Sequence, residues 1–170
     1  MLNVSDRPTM DTMAIERMTW SRNFAQSLLD GLSDRQLIAR AGGAGNHALW
    51  IMGHYAVADD QIRCAMTGES PTLPKEYKKL FEGGSEPIDD VSAYPSRTEL
   101  TGSMRASRER IIDWVKELDE SEYSTPTPEA MAPFAPDAIS VPFAISAHDL
   151  LHAGQLAAIR STLGLPRLHA

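Results

Sequence analysis

The sequence has little cysteine and no long hydrophobic run. Its one cysteine, Cys64, cannot form an internal disulfide, which excludes a small disulfide-stabilised fold. Every apolar stretch is interrupted well before the roughly 18 residues that a membrane-spanning helix requires, so none is expected. The segment Met1–Met10 has no basic part followed by an apolar part, so we also expect no secretory signal and a cytoplasmic protein.

Positive charge is scarce as well. The 16 Lys and Arg residues stand against 23 Asp and Glu residues, which gives a formal net charge of −7. Such a surface on average repels the phosphates of nucleic acids and of anionic lipids, so neither nucleic acid nor a membrane is an expected partner. The 170 residues, 42% of them hydrophobic, provide one core and too little for two. We therefore expect a single domain over residues 1–170.

Four long segments carry apolar residues at three- or four-residue intervals, and none alternates with the period of two that a β-strand requires. These segments predict four long helices. We expect them to begin near Asp11, at an N-cap residue Asn46, after a capping box of Ser96 and Glu99, and at Pro142. The second is expected to end near residue 67.

Helices of about 20 residues, each about 30 Å long, predict an all-α four-helix bundle. Two long proline-rich connections, Glu69–Pro95 and Asp119–Val141, follow the second and third helices, with room for a short helix around residues 75–81. We expect the first connection to join the second helix to an antiparallel third helix across the bundle diagonal. Together the two connections are expected to form the substrate pocket.

The periodicity also assigns exposed and buried faces. Asp59 and Asp60 in the second helix are most simply a solvent-exposed face, and the alternative is a carboxylate that orients a metal ligand. The buried stripe of the first helix is assigned to Met13, Arg17, Trp20, Phe24 and Leu28.

The candidate functional residues are histidines. His148 and His152 lie one turn apart on the fourth helix, so both imidazoles can turn toward one metal ion. His54 lies on an apolar helix face beside Trp50, where a buried imidazole needs a partner. His169, near the end of the sequence, is set aside. These observations favour a divalent metal ion held by three histidines. The alternative is that they are buried histidines, each bonded to a carbonyl or carboxylate group.

The relative direction of the two histidine-bearing helices can be predicted from depth. His54 lies eight residues after Asn46, and the midpoint of the other pair lies eight residues after Pro142. Parallel helices would therefore place the three histidines level, whereas antiparallel helices would leave a mismatch of about 7 Å. We expect the second and fourth helices to be parallel neighbours.

Other polar residues near these histidines have several interpretations. His47 lies about 10.5 Å from His54 along the helix, so it either contacts substrate at the rim or stabilises the helix terminus. His47 and Asp149 are the candidate catalytic bases. Gln61 and Gln155 are either hydrogen-bond partners of the ligand histidines or boundary residues.

Both histidine-bearing segments carry specific patterns. These are Asn46-His47-x-x-Trp50-x-x-Gly53-His54, His148-x-x-x-His152-x-Gly154-Gln155-Leu156 and Arg160-x-x-Leu163-Gly164-Leu165-Pro166. The patterns resemble those of the DinB-like (DinB/YfiT) superfamily. The resemblance implies a four-helix bundle with the spatial order 1-2-4-3, and nickel or zinc bound at His54, His148 and His152. With the apolar surface of the first and third helices, it also implies a homodimer.

The resemblance is compatible with several activities, because one fold supports more than one chemistry. The first is a metal-dependent S-transferase, which activates a small-molecule thiol for transfer to an electrophile and needs an open cavity at the metal site. The second is a non-catalytic, stress-response bundle in which the metal links two helices in a sealed core. The third is a metal-dependent hydrolase, which needs a base such as His47 or Asp149. We prefer the transferase as the hypothesis.

Overall fold

The structure is a computed structural model that describes residues 8–168. This range contains six α-helices. No β-strand and no helix long and apolar enough to cross a membrane occurs in that range. The all-helical prediction is confirmed, and so is the short helix over residues 75–81; His169 lies outside the described residues. The helices are α1 (Met10–Leu29), α2 (Asp34–Leu37), α3 (Ala48–Thr67), α4 (Lys75–Phe81), α5 (Arg97–Glu117) and α6 (Val141–Thr162).

Local sequence signals set several helix ends as predicted. Helix α3 ends at Thr67, and Gly68 follows it with a φ of 73°, a conformation that glycine adopts without strain. Ser96 and Glu99 form the predicted capping box at the start of α5. Pro142 lies in the first turn of α6, where its missing N–H leaves no hydrogen bond unmade.

The four long helices pack as two parallel pairs. Helix α1 packs chiefly against α6, and α3 packs chiefly against α5. In the first pair, Ser21 contacts Asp149 and Leu28 contacts Arg160, so the two helices run in the same direction. Counting long helices only, the order around the bundle is 1-4-2-3. The predicted order 1-2-4-3 is wrong, because the first and fourth long helices are close neighbours.

Helices α3 and α6 run antiparallel, so the predicted parallel arrangement is also wrong. The Tyr55 hydroxyl donates to the backbone carbonyl of Asp149 over 2.8 Å, whereas Asn46, earlier in the chain, contacts Gln155, later in the chain. The depth count failed because it assumed that the ends of the two helices lie level with each other. Helix α6 instead extends past the first turn of α3, and this stagger brings the three histidines level.

The long connection between α3 and α5 follows from their parallel packing. The chain must travel back along the full length of α3, about 30 Å, before α5 can begin beside it. The prediction that this connection crosses a diagonal to an antiparallel helix is therefore wrong. Helix α4 lies in the return segment and packs on α3 at Gly53, where a Cβ atom would lie 2.3 Å from the Phe81 ring.

The buried face of α1 differs from the predicted stripe. Trp20 is 54% exposed and Arg17 is exposed, whereas Ala14, Met18 and Arg22 are buried. The prediction gave weight to large apolar side chains. Close packing of α1 on α6 instead buries small residues together with a charged one, which hydropathy alone does not indicate.

Four charged side chains, one from each long helix, meet in the centre of the bundle. Arg108 lies 2.9 Å from both Asp59 and Asp149, and Arg22 lies 2.7 Å from Asp149 and 3.3 Å from Asp59. We call these four residues the central ion cluster. Asp59 was predicted to be exposed, and so was Asp60, which is buried and accepts hydrogen bonds from the segment after α3. Both predictions are wrong, because opposite charges and N–H donors meet these carboxylates inside the bundle.

Candidate metal centre

The three histidines predicted as metal ligands meet between α3 and α6. The Nε2 atom of His148 lies 3.0 Å from Nε2 of His54 and 3.2 Å from Nε2 of His152. All three ligand nitrogens lie within 4.8 Å of one another. Nitrogens about 2.1 Å from one metal ion, at tetrahedral or octahedral angles, are about 3.0 to 3.4 Å apart. The nitrogen spacing therefore fits a shared metal ion.

The opposite ring nitrogens hold two of the imidazoles in place. Nδ1 of His54 donates to the carbonyl oxygen of Phe81 over 2.7 Å, and Nδ1 of His152 donates to Oε1 of Gln155 over 3.1 Å. Because these oxygens only accept, each Nδ1 carries the hydrogen and each Nε2 presents a lone pair to the cluster. Gln155 thus forms a hydrogen bond with a candidate metal ligand, which is one of the two roles predicted for it. The Phe81 carbonyl is a partner that no sequence signal indicated.

The lone pairs in the cluster have too few donors. Nε2 of His54 and of His152 both accept, so a hydrogen on Nε2 of His148 can satisfy only one of them. At least one partly or fully buried acceptor nitrogen is therefore left without a donor, which is unfavourable without a cation. Burial lowers the pKa of each of the three imidazoles, and with the neighbouring histidines it lowers that of His148 to about 4. The rings are therefore neutral at pH 7, as metal ligands must be.

Aromatic rings enclose the histidine cluster. The Trp50 ring stacks on His54, with centroids 4.6 Å apart. The Tyr55 ring contacts His152 edge to face, with centroids 5.6 Å apart, and Arg22 lies 4.3 Å above the Tyr55 ring centroid. Tyr55 therefore connects the histidines to the central ion cluster, and the two rings keep water from part of the site.

His47 caps α3 instead of contacting the other histidines. Its Nδ1 accepts a hydrogen bond from the backbone N–H of Trp50 over 3.0 Å, and its Nε2 donates to the carbonyl oxygen of Ile88 over 3.1 Å. Asn46, the predicted N-cap, instead donates to Gln155. That N-cap prediction is wrong. Both ring nitrogens of His47 are engaged and burial lowers its pKa, so this geometry favours the helix-terminus interpretation over that of a base.

Asp149 belongs to the central ion cluster. Its Oδ1 accepts from Arg22 and Arg108, and its Oδ2 accepts from Ser21 and Arg108. Burial alone would raise the pKa of this carboxyl group, but the two guanidinium groups outweigh burial and lower it. A fully paired carboxylate of low basicity is poorly suited to take a proton, which argues against Asp149 as a base.

Gln61 lies apart from the histidines. Its side chain is exposed, and within residues 8–168 it makes no hydrogen bond to them. It follows His54 by two helical turns, which places it about 10.5 Å further along α3. Its interpretation as a partner of a ligand histidine is therefore not supported by the geometry.

An apolar pocket of about 570 Å³ opens beside His148. Its walls come from α3, α6 and the connection between α5 and α6, with Ile62, Met131, Phe134 and Ala144 among the lining residues. Only one of the two proline-rich connections thus lines this pocket, whereas both are expected from the sequence to form the substrate pocket. The other connection supplies the Phe81 carbonyl to His54.

Comparisons with known proteins agree with this architecture. The family model of the DinB superfamily matches residues 17–156, a range that includes all three histidines. No curated protein matches the sequence. The fold is similar to the crystal structure of a conserved protein from Enterococcus faecalis, with a TM-score of 0.70 and 15% sequence identity over 93% of this chain and 99% of that chain.

Proposed function

Because the chain belongs to the DinB superfamily, we propose that it is a metal-dependent enzyme whose divalent cation is held by His54, His148 and His152. The observation that carries the proposal is the convergence of three Nε2 atoms, two of them fixed as lone-pair donors by hydrogen bonds at Nδ1. Such hydrogen bonds are typical of histidines that bind metals. Nickel and zinc are the proposed metals, and imidazole suits both.

The proposed reaction transfers a small-molecule thiol to an electrophilic carbon. A divalent cation held by the three imidazoles would lower the pKa of a thiol that binds beside it. The thiol proton passes to solvent water and the sulfur forms a bond to the carbon. The leaving group departs with the electron pair of the bond that breaks.

Residues of the chain prepare the site for this reaction. Phe81 and Gln155 keep the rings of His54 and His152 neutral and aimed at one point. The Trp50 and Tyr55 rings restrict water on the enclosed sides. The pocket beside His148 is open to a second substrate, and such an opening favours an enzyme over a sealed, non-catalytic bundle.

The lining of the pocket favours thiol transfer over hydrolysis. His148 is the only titratable residue among the lining residues, and the two candidate bases, His47 and Asp149, are both engaged elsewhere. Water, with a pKa of about 15.7 away from a metal, gains more than a thiol does from a group that takes its proton during attack. A thiol, with an ordinary pKa of about 8.5, ionises far more readily and needs no such group once a cation is near.

Metal analysis of purified protein tests the proposal. We expect about one nickel or zinc ion per chain in the wild type, a large loss in His152→Ala, and no change in Gln61→Ala, which alters an exposed residue of α3. Transfer of a generic thiol to a generic electrophile should stop with a chelator and return with added metal. Equal metal in His152→Ala, or turnover that the chelator leaves unchanged, would contradict the proposal.

We also propose that the protein is a homodimer. Trp20, on α1, stacks on Phe24 and exposes 54% of its surface. Aromatic residues, tryptophan among them, are enriched in the buried centres of protein–protein interfaces. Helix α5, the other helix from which contacts were expected, has no large apolar residue among the exposed ones of the described chain, so the proposal rests on α1.

A further inference from the structure

The apolar pocket beside His148 indicates the chemical class of the electrophile. We propose that this pocket binds an uncharged, apolar small molecule and excludes carboxylates and ammonium ions. The role of that molecule as the electrophile rests on the proposed function. Its binding preference rests only on the pocket and can be measured without metal.

The lining of the pocket is almost entirely apolar. Eleven of its twelve lining residues have apolar side chains, and the twelfth is His148. Within the described chain, no Lys, Arg, Asp or Glu lines it. Its volume of about 570 Å³ lies within the range of small-molecule sites, about 300 to 1,000 Å³. The pocket can therefore enclose a ligand of modest size, but it offers no charge to pair with one.

The cost of desolvation makes such a lining selective. A carboxylate or an ammonium ion that enters the pocket loses water and finds no opposite charge, which is strongly unfavourable. An apolar molecule loses no hydrogen bonds, and its surface is removed from water together with the surface of the pocket. An uncharged ligand should therefore bind much more tightly than a charged one of the same shape.

Two exposed apolar residues in the lining support the presence of a ligand. Phe134, in the connection before α6, is 80% exposed, and Leu151, on α6, is 64% exposed. Large apolar side chains next to a concave apolar surface are typical of binding sites. A bound apolar molecule would cover part of both side chains, which are otherwise in contact with water.

Polar side chains near the histidines lie away from this pocket. Asn46, just before α3, donates a hydrogen bond to Gln155, which lies on the later part of α6. The pocket uses α6 only from Val141 to Leu151. The pocket therefore offers a bound molecule no polar side chain other than His148.

Binding of three small probes to metal-free protein tests the inference. The probes are 4-chlorotoluene, 4-chlorobenzoate and 4-chlorobenzylammonium, which share a ring and differ in charge. Protein NMR titration should show shifts at Met131, Ala144 and Leu151, with 4-chlorotoluene binding at least about tenfold more tightly than either ion. Equal or tighter binding of an ion, or shifts confined to another surface, would overturn the inference.

A pair of leucine variants sharpens the test. Leu151→Lys introduces a cation into the lining, whereas Leu150→Lys changes an adjacent leucine that is 39% exposed and does not line the pocket. Leu151→Lys should weaken 4-chlorotoluene and strengthen 4-chlorobenzoate by roughly fivefold or more, and Leu150→Lys should leave both unchanged. The inference is wrong if the two variants bind the probes alike.

The metal content of the purified protein, measured before its metal is removed for the titrations, separates this inference from the proposed function. A preference for 4-chlorotoluene in a protein that binds no metal would support the pocket and refute the metal-dependent enzyme. Metal bound by the three histidines, without a preference for the uncharged probe, would refute the pocket inference alone.

Discussion

The carbonyl oxygen of Phe81 accepts a hydrogen bond from Nδ1 of His54 over 2.7 Å. Phe81 is the last residue of α4, a short helix in the connection between α3 and α5. A segment that returns the chain from one end of the bundle to the other therefore also fixes the orientation of a candidate metal ligand. Its contact with α3 depends on Gly53, which leaves room for the Phe81 ring.

Gly53→Ala should weaken metal binding. The added Cβ atom would lie 2.3 Å from the Phe81 ring, so α4 must shift and the His54 hydrogen bond must lengthen. We expect metal affinity to fall by about 10- to 100-fold, as measured by competition with a chelating dye. Gly102→Ala is the control, because a Cβ there meets no atom within 4 Å. Equal affinities in the two variants would count against the role of Phe81.

Gln155→Leu should also reduce metal affinity while the fold is retained. The variant removes the oxygen that accepts from Nδ1 of His152, so the His152 ring loses the hydrogen bond that selects its tautomer. We expect a loss of about 10- to 100-fold, measured by isothermal titration with zinc. Gln61→Leu, on the exposed face of α3, serves as the matched control and should bind zinc as the wild type does. A normal zinc affinity of Gln155→Leu would show that His152 needs no such support.

Acid should destabilise the metal-free protein between about pH 6.5 and pH 4. Burial lowers the pKa of His148 to about 4 from an unfolded value of 6.5, and it lowers the pKa of His54 and His152 as well. In this window the unfolded chain binds more protons than the folded chain, so stability falls as the pH falls. His148 alone accounts for about 3 kcal/mol. Asp149 stays ionised here, because its pKa is lowered from 3.8.

Urea denaturation at pH 7.5 and pH 5 measures this effect. The fall in the free energy of unfolding should be smaller in His148→Gln, since one of the three buried imidazoles is gone. A wild-type protein whose stability stays constant from pH 7.5 to pH 5 would contradict the prediction.

Asp59→Asn should strongly destabilise the fold. The change removes one of two anions from the central ion cluster and leaves Arg22 and Arg108 buried with one carboxylate. Removal of one partner of a buried ion pair costs about 3–5 kcal/mol, measurable by urea denaturation. Asp113→Asn, which breaks an exposed pair with Lys116, should have little effect because exposed pairs contribute little. Similar losses of stability in both variants would show that the effect does not come from the central ion cluster.

Trp20→Lys should convert the proposed dimer to monomer. The variant replaces an exposed apolar surface on α1 with a charge, and two such charges would face each other in a symmetric dimer. Light scattering after size exclusion gives the mass directly. Lys116→Ala, on the exposed surface of α5, should leave the mass unchanged. A wild-type mass of about 19 kDa would refute the dimer at the outset.

The helices, and the grouping of three histidines, could be predicted from the sequence because both depend on local patterns. The capping box at Ser96 and the end of α3 at Thr67 follow from residues within one turn. The pair His148 and His152 follows from helical spacing. His54 was found because an imidazole on an apolar face requires a partner.

The packing of the helices was not predicted, because it depends on contacts between distant segments. The antiparallel arrangement of α3 and α6 depends on contacts such as the hydrogen bond between Tyr55 and Asp149, which lie 94 residues apart in the sequence. Asp59 was assigned to solvent because a charged residue is usually exposed. The arginines that pair with it come from α1 and α5, and no periodicity links those helices to it. The Phe81 carbonyl is a backbone atom, so side-chain patterns could not indicate it.

Because the chain is arranged as two parallel helix pairs, the proposed metal site would affect the stability of the whole chain. His54 belongs to the α3–α5 pair, and the other two histidines belong to the α1–α6 pair. A ligand that binds only the folded form stabilises it by about 2.7 kcal/mol when present at 100 times its dissociation constant. With the proposed metal bound, the abundance of the folded protein would therefore depend on the free metal concentration of the cell, since a chain without metal would unfold more often and be degraded sooner.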